Sequence, residues 1–349
     1  MNPTAVLYAL IAAGLFGLST PAAKVLVGST HPVVLAGLLY CGAGMGVALL
    51  RKLPWTMFGS STEAALSRAD LPWLAGAVVA GGVLGPILLL VGLARTGAST
   101  ASLLLTLEGV ATALMAWFIF HESFDRRIAI GMFCLAVGAL VLSWSGAPTL
   151  ESVVGPLAIV GACVAWGLDN NLTRKISLAD PLQIVTLKGT IAGPINLLLG
   201  VAAGGALPDL LSGLAASVVG FLCYGVSLAL FVLALRHLGT ARTAAYFSTA
   251  PFFGAVAAII ALHESVTYQL VAAGALMAVG VWLHVTEQHD HEHTHDRQEH
   301  THAHVHDETH HHSHGPNDPA GEPHTHRHAH RPLKHSHPHM PDMHHQHRH

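Results

Sequence analysis

The sequence predicts an all-α integral membrane protein: ten transmembrane helices in two inverted five-helix repeats, followed by a disordered His-rich tail. Three observations carry this. The 349-residue chain is 52% hydrophobic and only 11% charged, against roughly 25% charged in an ordinary globular domain. Its polar residues are segregated, residues 1–285 being almost continuously apolar and 286–349 polar. And His-Glu-Ser occurs twice, at His121–Ser123 and again 142 residues later at His263–Ser265.

A hydrocarbon core of about 30 Å needs roughly 20 apolar residues as a helix, because lipid offers no partner to an unpaired backbone group. Ten such stretches fit: 3–27, 32–50, 71–94, 98–120, 127–146, 153–173, 181–203, 210–235, 242–262 and 267–285. The first opens with Asn2-Pro3 and has neither a basic n-region nor a small-residue cleavage site, so it reads as a retained helix. Cys41, Cys134, Cys163 and Cys223 fall at scattered positions inside these stretches. They read as small buried apolar residues, not as disulfide partners or metal ligands.

Basic residues in short loops set orientation. Arg51, Lys52, Arg68, Arg126, Arg127, Arg174, Lys175, Arg236 and Arg242 fall in one set of alternate loops, Lys24 and Arg95 in the other. Both termini, tail included, are therefore expected in the cytoplasm.

The repeat extends well beyond His-Glu-Ser. At the 142-residue offset Gly97 meets Gly239, Ala113 meets Ala255, Ala116 meets Ala258, and Ala136-Val137-Gly138 meets Ala278-Val279-Gly280. Asp125 and Thr267, both suited to cap the following helix, also coincide. Near an offset of 150, Phe16-Gly17-Leu18 meets Trp166-Gly167-Leu168 and Lys24 meets Arg174, and Pro32 meets Pro181 at 149. The units are 3–146 and 153–285. Five helices per unit is odd, so the second unit lies inverted relative to the first. That arrangement belongs to secondary transporters, whose site lies at the repeat interface near mid-depth. His121-Glu122 and His263-Glu264 then mark the junction between fourth and fifth helices on opposite faces. Either they are helix-end residues that suit the dipole, or they are a pair of gates.

On "FGLSTPAAK" (16–24), "WGLDNNLTRK" (166–175) and the two "HES" junctions, each followed by a Gly-containing helix ("AVGALVLSW", "AVGVWLHV"), the chain resembles the drug/metabolite transporter superfamily. Within it, the EamA-type members with two five-helix repeats match over about residues 3–285. The resemblance implies a ten-helix carrier of the bacterial inner membrane, often an exporter, driven by an ion gradient, with the proton a candidate coupling ion. Substrates in that family range over amino acids, sugars, nucleotide-related metabolites and drugs, so it leaves the cargo open.

A charge at mid-helix costs roughly 2.5–3.5 kcal/mol on insertion scales. Glu108 ("LLLTLEGVATAL"), Asp169 ("WGLDNNL") and Lys188 ("IVTLKGTIAG") bear that cost. Asp169 and Lys188 fall at similar depths. They form either a structural ion pair or a switch that substrate or proton displaces. Glu108 has Ala250 as its repeat mate and no basic neighbour on its own helix. Desolvation disfavours its charged form, so it could exchange a proton for a cation. Asn170 and Asn171 follow Asp169, and Ser19, Thr20 and Pro21 hold the corresponding place in the first unit. Pro21 cannot donate to the helix ladder, so polar or broken helix is expected there in both units. The Gly-rich runs at 80–86 and 192–194 read as sites of close packing and bending.

Residues 289–349 hold 23 histidines in 61 positions, alternating as "HDHEHTHD", "HTHAHVHD" and "HTHRHAH". With no hydrophobic pattern, no folded core is expected of the tail. Imidazole suits nickel, cobalt, copper and zinc. His289, His291, His293, His295, His300, His302, His304, His306, His310, His311, His312, His324, His326, His328 and His330 are the candidate ligands. Such binding is multivalent and weakens below pH ~6.5.

Two substrate classes follow. One is a divalent transition metal, nickel or cobalt foremost, exported along a path containing Glu108, Asp169 and His121, with the tail as collector. The other is a small organic solute such as an amino acid, its two charges met by Asp169 and Lys188, with the tail regulatory. A non-transporting metal sensor or store is a third reading, which two inverted units with mid-depth charges disfavour. No enzyme constellation appears: there is no phosphate loop and no nucleophile beside a base in a soluble stretch. No tightly bound cofactor is expected beyond metal on the tail. The expected partners are lipid, the transported solute or metal and a coupling ion. Nothing points to nucleic acid, and a homodimer is compatible with the sequence.

Overall fold

The computed structural model describes residues 3–52, 66–119, 126–144, 150–176, 179–238, 243, 246–285 and, in the tail, 289–294, 298–304, 324–330 and 334–339. Among the described residues the apolar stretches form ten rods. They are α1 (Pro3–Val27), α2 (Pro32–Leu50), α3 (Leu71–Ala77, a π-turn Val78–Leu84, then Gly85–Arg95) and α4 (Ala98–Leu104 and Leu107–Phe118). Next come α5 (Arg126–Ser143), α6 (Leu150–Arg174), α7 (Pro181–Ala202) and α8 (Leu210–Val219, a π-turn Gly220–Val226, then Ser227–Leu238). The last two are α9 (Ala250–Leu262) and α10 (Tyr268–Val285). Among the described residues, seven spans are long and apolar enough to cross a membrane; the apolar helices in α5, α9 and α10 are shorter.

Ends are set by chemistry visible in the sequence. Asp180 and Asp209 cap α7 and α8 by accepting from Leu182 N and from Leu211 N and Ser212 N. Thr267 caps α10, as expected, by accepting from Leu270 N at 3.1 Å. α1 differs from expectation: it runs unbroken through Pro21. Its neighbours bury Ser19 and Thr20, and a packed helix can re-satisfy the group that proline frees.

The packing interlocks the two halves. The repeat mates α2 and α7 lie against each other, as do α5 and α10. α1 packs on α8 and α9 of the second half, while α6 packs on α3 and α4 of the first. The α2–α7 crossing is close enough that a β-carbon on Gly189 would lie 2.5 Å from the Gly44 Cα. Such small-residue contacts let helix backbones approach where lipid gives no hydrophobic drive. A central cluster of Leu35, Leu39, Leu89, Leu90, Leu93, Leu104 and Ile159 is buried, and Phe133, Leu140, Leu198 and Ile260 point outward, apolar and exposed.

The repeat is legible in irregularities too. The two π-turns, 78–84 and 220–226, are 142 residues apart, the same offset as the His-Glu-Ser pair. The break in α4 at Leu105–Thr106 has its counterpart in the turn Ser248–Thr249 ahead of α9.

In the tail, β1 (His289–Thr294) pairs antiparallel with β4 (Lys334–His339), and β2 (Gln298–His304) with β3 (His324–His330). Where the composition leads one to expect no regular structure, the period-two histidines thus fall on ladders, without the apolar face a stable sheet needs in water.

Candidate functional site

Three consecutive residues of α6 organise the site. Successive side chains on an α-helix point about 100° apart, so Asp169, Asn170 and Asn171 reach different neighbours. Asp169 takes Lys188 Nζ of α7 on both carboxylate oxygens, at 2.6 and 2.7 Å, and the Thr173 hydroxyl at 2.9 Å. Asn170 Nδ2 donates to Glu108 Oε1 at 2.9 Å and to Thr112 Oγ1 at 3.2 Å, both on α4. Asn171 Nδ2 donates to the Thr112 carbonyl at 3.1 Å and to the Gly167 carbonyl at 2.8 Å. Asp169 is 6% exposed, whereas Asn170 is exposed. Asp169 is thus enclosed between helices, while Asn170 lies at an accessible surface.

Glu108 stands where α4 restarts. The α4 ladder breaks at Leu105–Thr106: Thr106 Oγ1 turns back to the Leu103 carbonyl at 2.8 Å, and Glu108 N bonds Leu105 O instead of Leu104 O. The Leu104 carbonyl takes the Cys163 thiol at 3.6 Å. Glu108 therefore occupies the first turn of the segment Leu107–Phe118, the end of a helix that favours a negative charge. Among the described residues it makes no ion pair. Discontinuous helices of this kind line binding sites in transporters.

The floor under Asp169 is the π-turn of α3. A π-turn displaces one residue from the helical ladder, and its carbonyls here meet side chains. Gly81 O accepts from Tyr40 Oη at 2.7 Å and from Trp166 Nε1 at 3.0 Å. Gly82 O accepts from Asn196 Nδ2 at 2.8 Å. Tyr40 lies 6.0 Å from Tyr224 of the second π-turn, whose other face meets Phe16 and whose hydroxyl bonds Ser19.

The structure thus brings Glu108, Asp169, Asn170 and Lys188 together around α6, with Ser19 on the facing wall and Thr20 buried beside it in sequence. His263 and Glu264 lie apart, at the far end of α9. His121 and Glu122 lie outside the described residues. So do His295, His306, His310, His311 and His312; the other candidate tail ligands fall on the strands. The four cysteines are free thiols. Among the described residues no three His, Cys, Asp or Glu side chains converge to hold a metal ion. Sequence reasoning missed Thr112, Gly81, Tyr40 and Trp166. Thr112 had a readable signal, lying one helical turn after Glu108; the others act through a π-turn that composition does not reveal.

Comparison with known proteins places the fold. The family model described as the EamA-like transporter family matches residues 3–144 and again 153–286. The chain belongs to the EamA-like transporter family. Its transporter character and the duplicated unit are thereby shown. The chain is 28% identical to an uncharacterized transporter of Methanothermobacter thermautotrophicus over 284 residues, 77% of this chain and 82% of that one. It is 27% identical to the uncharacterized transporter YvbV of Bacillus subtilis over 203 residues, 55% of this chain and 65% of that one. It is also 32% identical over 113 residues to the probable 4-amino-4-deoxy-L-arabinose-phosphoundecaprenol flippase subunit ArnE of Pseudomonas aeruginosa. Those residues are 32% of this chain and 96% of that subunit. A solved crystal structure superposes with a TM-score of 0.57 at 17% identity, covering 80% of this chain and 95% of the other. That similarity speaks for the fold alone.

Proposed function

We propose that this EamA-family protein exports a cation across the inner membrane, and that a divalent transition metal, nickel or cobalt foremost, is the cargo. The observation that carries the cation is Glu108: a carboxylate at a helix break that accepts from Asn170 Nδ2 at 2.9 Å yet has no ion-pair partner among the described residues. A cation arriving there meets oxygen ligands and can displace a proton, which supplies the coupling. The dense histidine tail supports the metal, since it would concentrate such ions beside the basic, cytoplasmic end.

A second reading has one specific observation in its favour. The Asp169–Lys188 pair offers both charges that a zwitterion or a protonated amine with an anionic group would engage, and the flippase-subunit relatives are named for an amino-sugar lipid. Export of such an organic amine then uses the same crevice, with the tail regulatory.

The test is metal content and metal resistance of cells expressing the full chain, a chain lacking 286–349, or Glu108→Gln. The metal reading expects Glu108→Gln to accumulate metal and lose resistance, and the tail deletion to respond only at higher metal. Wild-type metal content in Glu108→Gln cells refutes it. Loss of organic-amine efflux in Asp169→Asn or Lys188→Met, with metal handling intact, establishes the second reading.

A further inference from the structure

The corner between α3 and α4 is held to the ends of α1 and α9 by a definite chemistry. The first segment of α4, Ala98–Leu104, packs against α9 and α1, whereas the second, Leu107–Phe118, packs on α6 and α5. Contact of α4 with α1 and α9 is thus made by its first segment. There the tight corner between α3 and α4 is gripped from two sides. Lys24 Nζ, at the end of α1, donates to the carbonyls of Leu93 and Thr96 at 2.6 and 2.7 Å. Glu264, just past α9, accepts from Ala98 N at 2.6 Å, Ser99 N at 2.9 Å and Ser99 Oγ at 2.5 Å.

Each charge matches the helix end it holds. The ammonium takes carbonyls at the negative C-terminus of α3, and the carboxylate takes amides at the positive N-terminus of α4. Both grips come from α1 and α9, and the corner they hold joins the end of α3, which packs on α6, to the first segment of α4, which packs on α9 and α1. Two further details show that the site is built for this contact. A β-carbon on Gly97 would lie 3.2 Å from Glu264 Oε2, so glycine leaves the carboxylate its seat. And His263 is, among the described residues, the one non-glycine with positive φ (54°, ψ 36°). That left-handed turn ends α9 and directs Glu264 back to α4; outliers of this kind point to functional sites.

We propose that Lys24 and Glu264 form a releasable latch, which closes the crevice at this end and lets go of the Leu93–Ser99 corner once per transport cycle. The proposal needs the transporter fold but neither cargo reading. Half of the second His-Glu-Ser motif thereby acquires a role in holding the α3–α4 corner against the ends of α1 and α9.

The test reads accessibility and needs no substrate. In the full-length chain with Cys41, Cys134, Cys163 and Cys223 replaced by alanine, Asn170→Cys reports on the crevice. A membrane-impermeant maleimide is applied to right-side-out and to inverted vesicles. With the latch intact, labelling proceeds from the face opposite the latch. Glu264→Gln and Lys24→Met should raise labelling from the latch face by roughly tenfold or more, the shift expected when charge-assisted hydrogen bonds held in one state are lost. Labelling from the other face should fall in step. Ser99→Ala, which removes one hydroxyl and leaves the backbone amides, should give a smaller change of the same sign. Unchanged labelling from the latch face in both charge variants overturns the proposal, and so does an equal rise from both faces, which reports loosening of the fold.

Discussion

Gly81→Ala tests the architecture of the site more sharply than removal of any charge. A β-carbon at Gly81 would lie 2.6 Å from the Asp169 β-carbon and closer still to its carboxylate, whereas carbon–carbon contact is comfortable near 3.5–4.0 Å. Two escapes exist. Asp169 can swing away from Lys188, which leaves a buried charge unpaired at about 3–5 kcal/mol. Alternatively the π-turn can shift, which forfeits the Tyr40 and Trp166 hydrogen bonds to Gly81 O, each worth about 0.5–1.5 kcal/mol net, and moves α3 against α6. Alanine recovers only about 1 kcal/mol of helix propensity over glycine. The expected net loss is about 2–4 kcal/mol. The assay is thermal unfolding in detergent, followed by tryptophan fluorescence with Trp166 as a local reporter. Gly14→Ala is the control, because a β-carbon there meets nothing within 4 Å and should be neutral or stabilising. In an Asp169→Gly/Lys188→Met background the carboxylate, the β-carbon at 2.6 Å and the unpaired charge are all gone, so Gly81→Ala should cost little. If Gly81→Ala matches Gly14→Ala in the wild-type background, or costs as much with Asp169 removed, the account of the site is refuted.

Three further outcomes follow from the same geometry. Asp169→Asn and Lys188→Met should each destabilise by about 3–5 kcal/mol, while the double variant recovers most of the loss; unfolding midpoints of the three decide it. Burial raises the Glu264 carboxyl, but the Ser99 hydroxyl, the Ser99 and Ala98 amides and Lys24 outweigh it and hold the group below the usual carboxylate value. Its tie to α4 is therefore complete above the unfolded-state value and lost as pH falls through the lowered one, so Glu264→Gln should flatten the acid limb of the stability profile. Nickel binding to the full-length protein, measured by calorimetry, should be strong at pH 7.5 and collapse below pH ~6.5 as imidazoles protonate, and deletion of 286–349 should remove it.

What could be read from residues alone follows physical lines. The spans were legible because lipid demands uninterrupted apolar length, and α2 begins and ends at the expected 32 and 50. The Asp169–Lys188 pair was legible because two opposite charges at matched depth have few other ways to survive. The helix irregularities were not. Proline at 21 suggested a break that the packed helix absorbs, while the actual break in α4 falls at Leu105–Thr106, an apolar stretch with no breaker. The π-turn sequences VVAGGVL and GFLCYGV share little; their common form is held by tertiary partners of the freed carbonyls, which a local pattern does not contain. Glu264 was visible as half of a repeat, but its partner is 165 residues away on another helix.

The contrast between symmetric frame and asymmetric chemistry bears on how the protein works. The frame repeats closely: α2 faces α7, α5 faces α10, and π-turns and α4-type breaks recur at equivalent places. A frame with two matching ends can close at either one with similar packing, so alternation between them needs no large difference in energy. The polar groups do not repeat. Glu108 has Ala250 as its mate, and Asp169-Asn170 corresponds to Ser19-Thr20. Ala250 is buried, and a β-carbon on Gly17 would collide with the Ala250 carbonyl. That place in the second half is therefore filled by helix packing, which leaves no room for an acid. The acidic and amide groups of the candidate site, Glu108, Asp169 and Asn170, are thus confined to α4 and α6, and the α1/α8/α9 side contributes Phe16, Tyr224 and the proposed latch of Lys24 and Glu264. Motion of one wall against the other then changes which end reaches Glu108 without dismantling the ligand set itself, because Asn170 and Glu108 travel on the same wall.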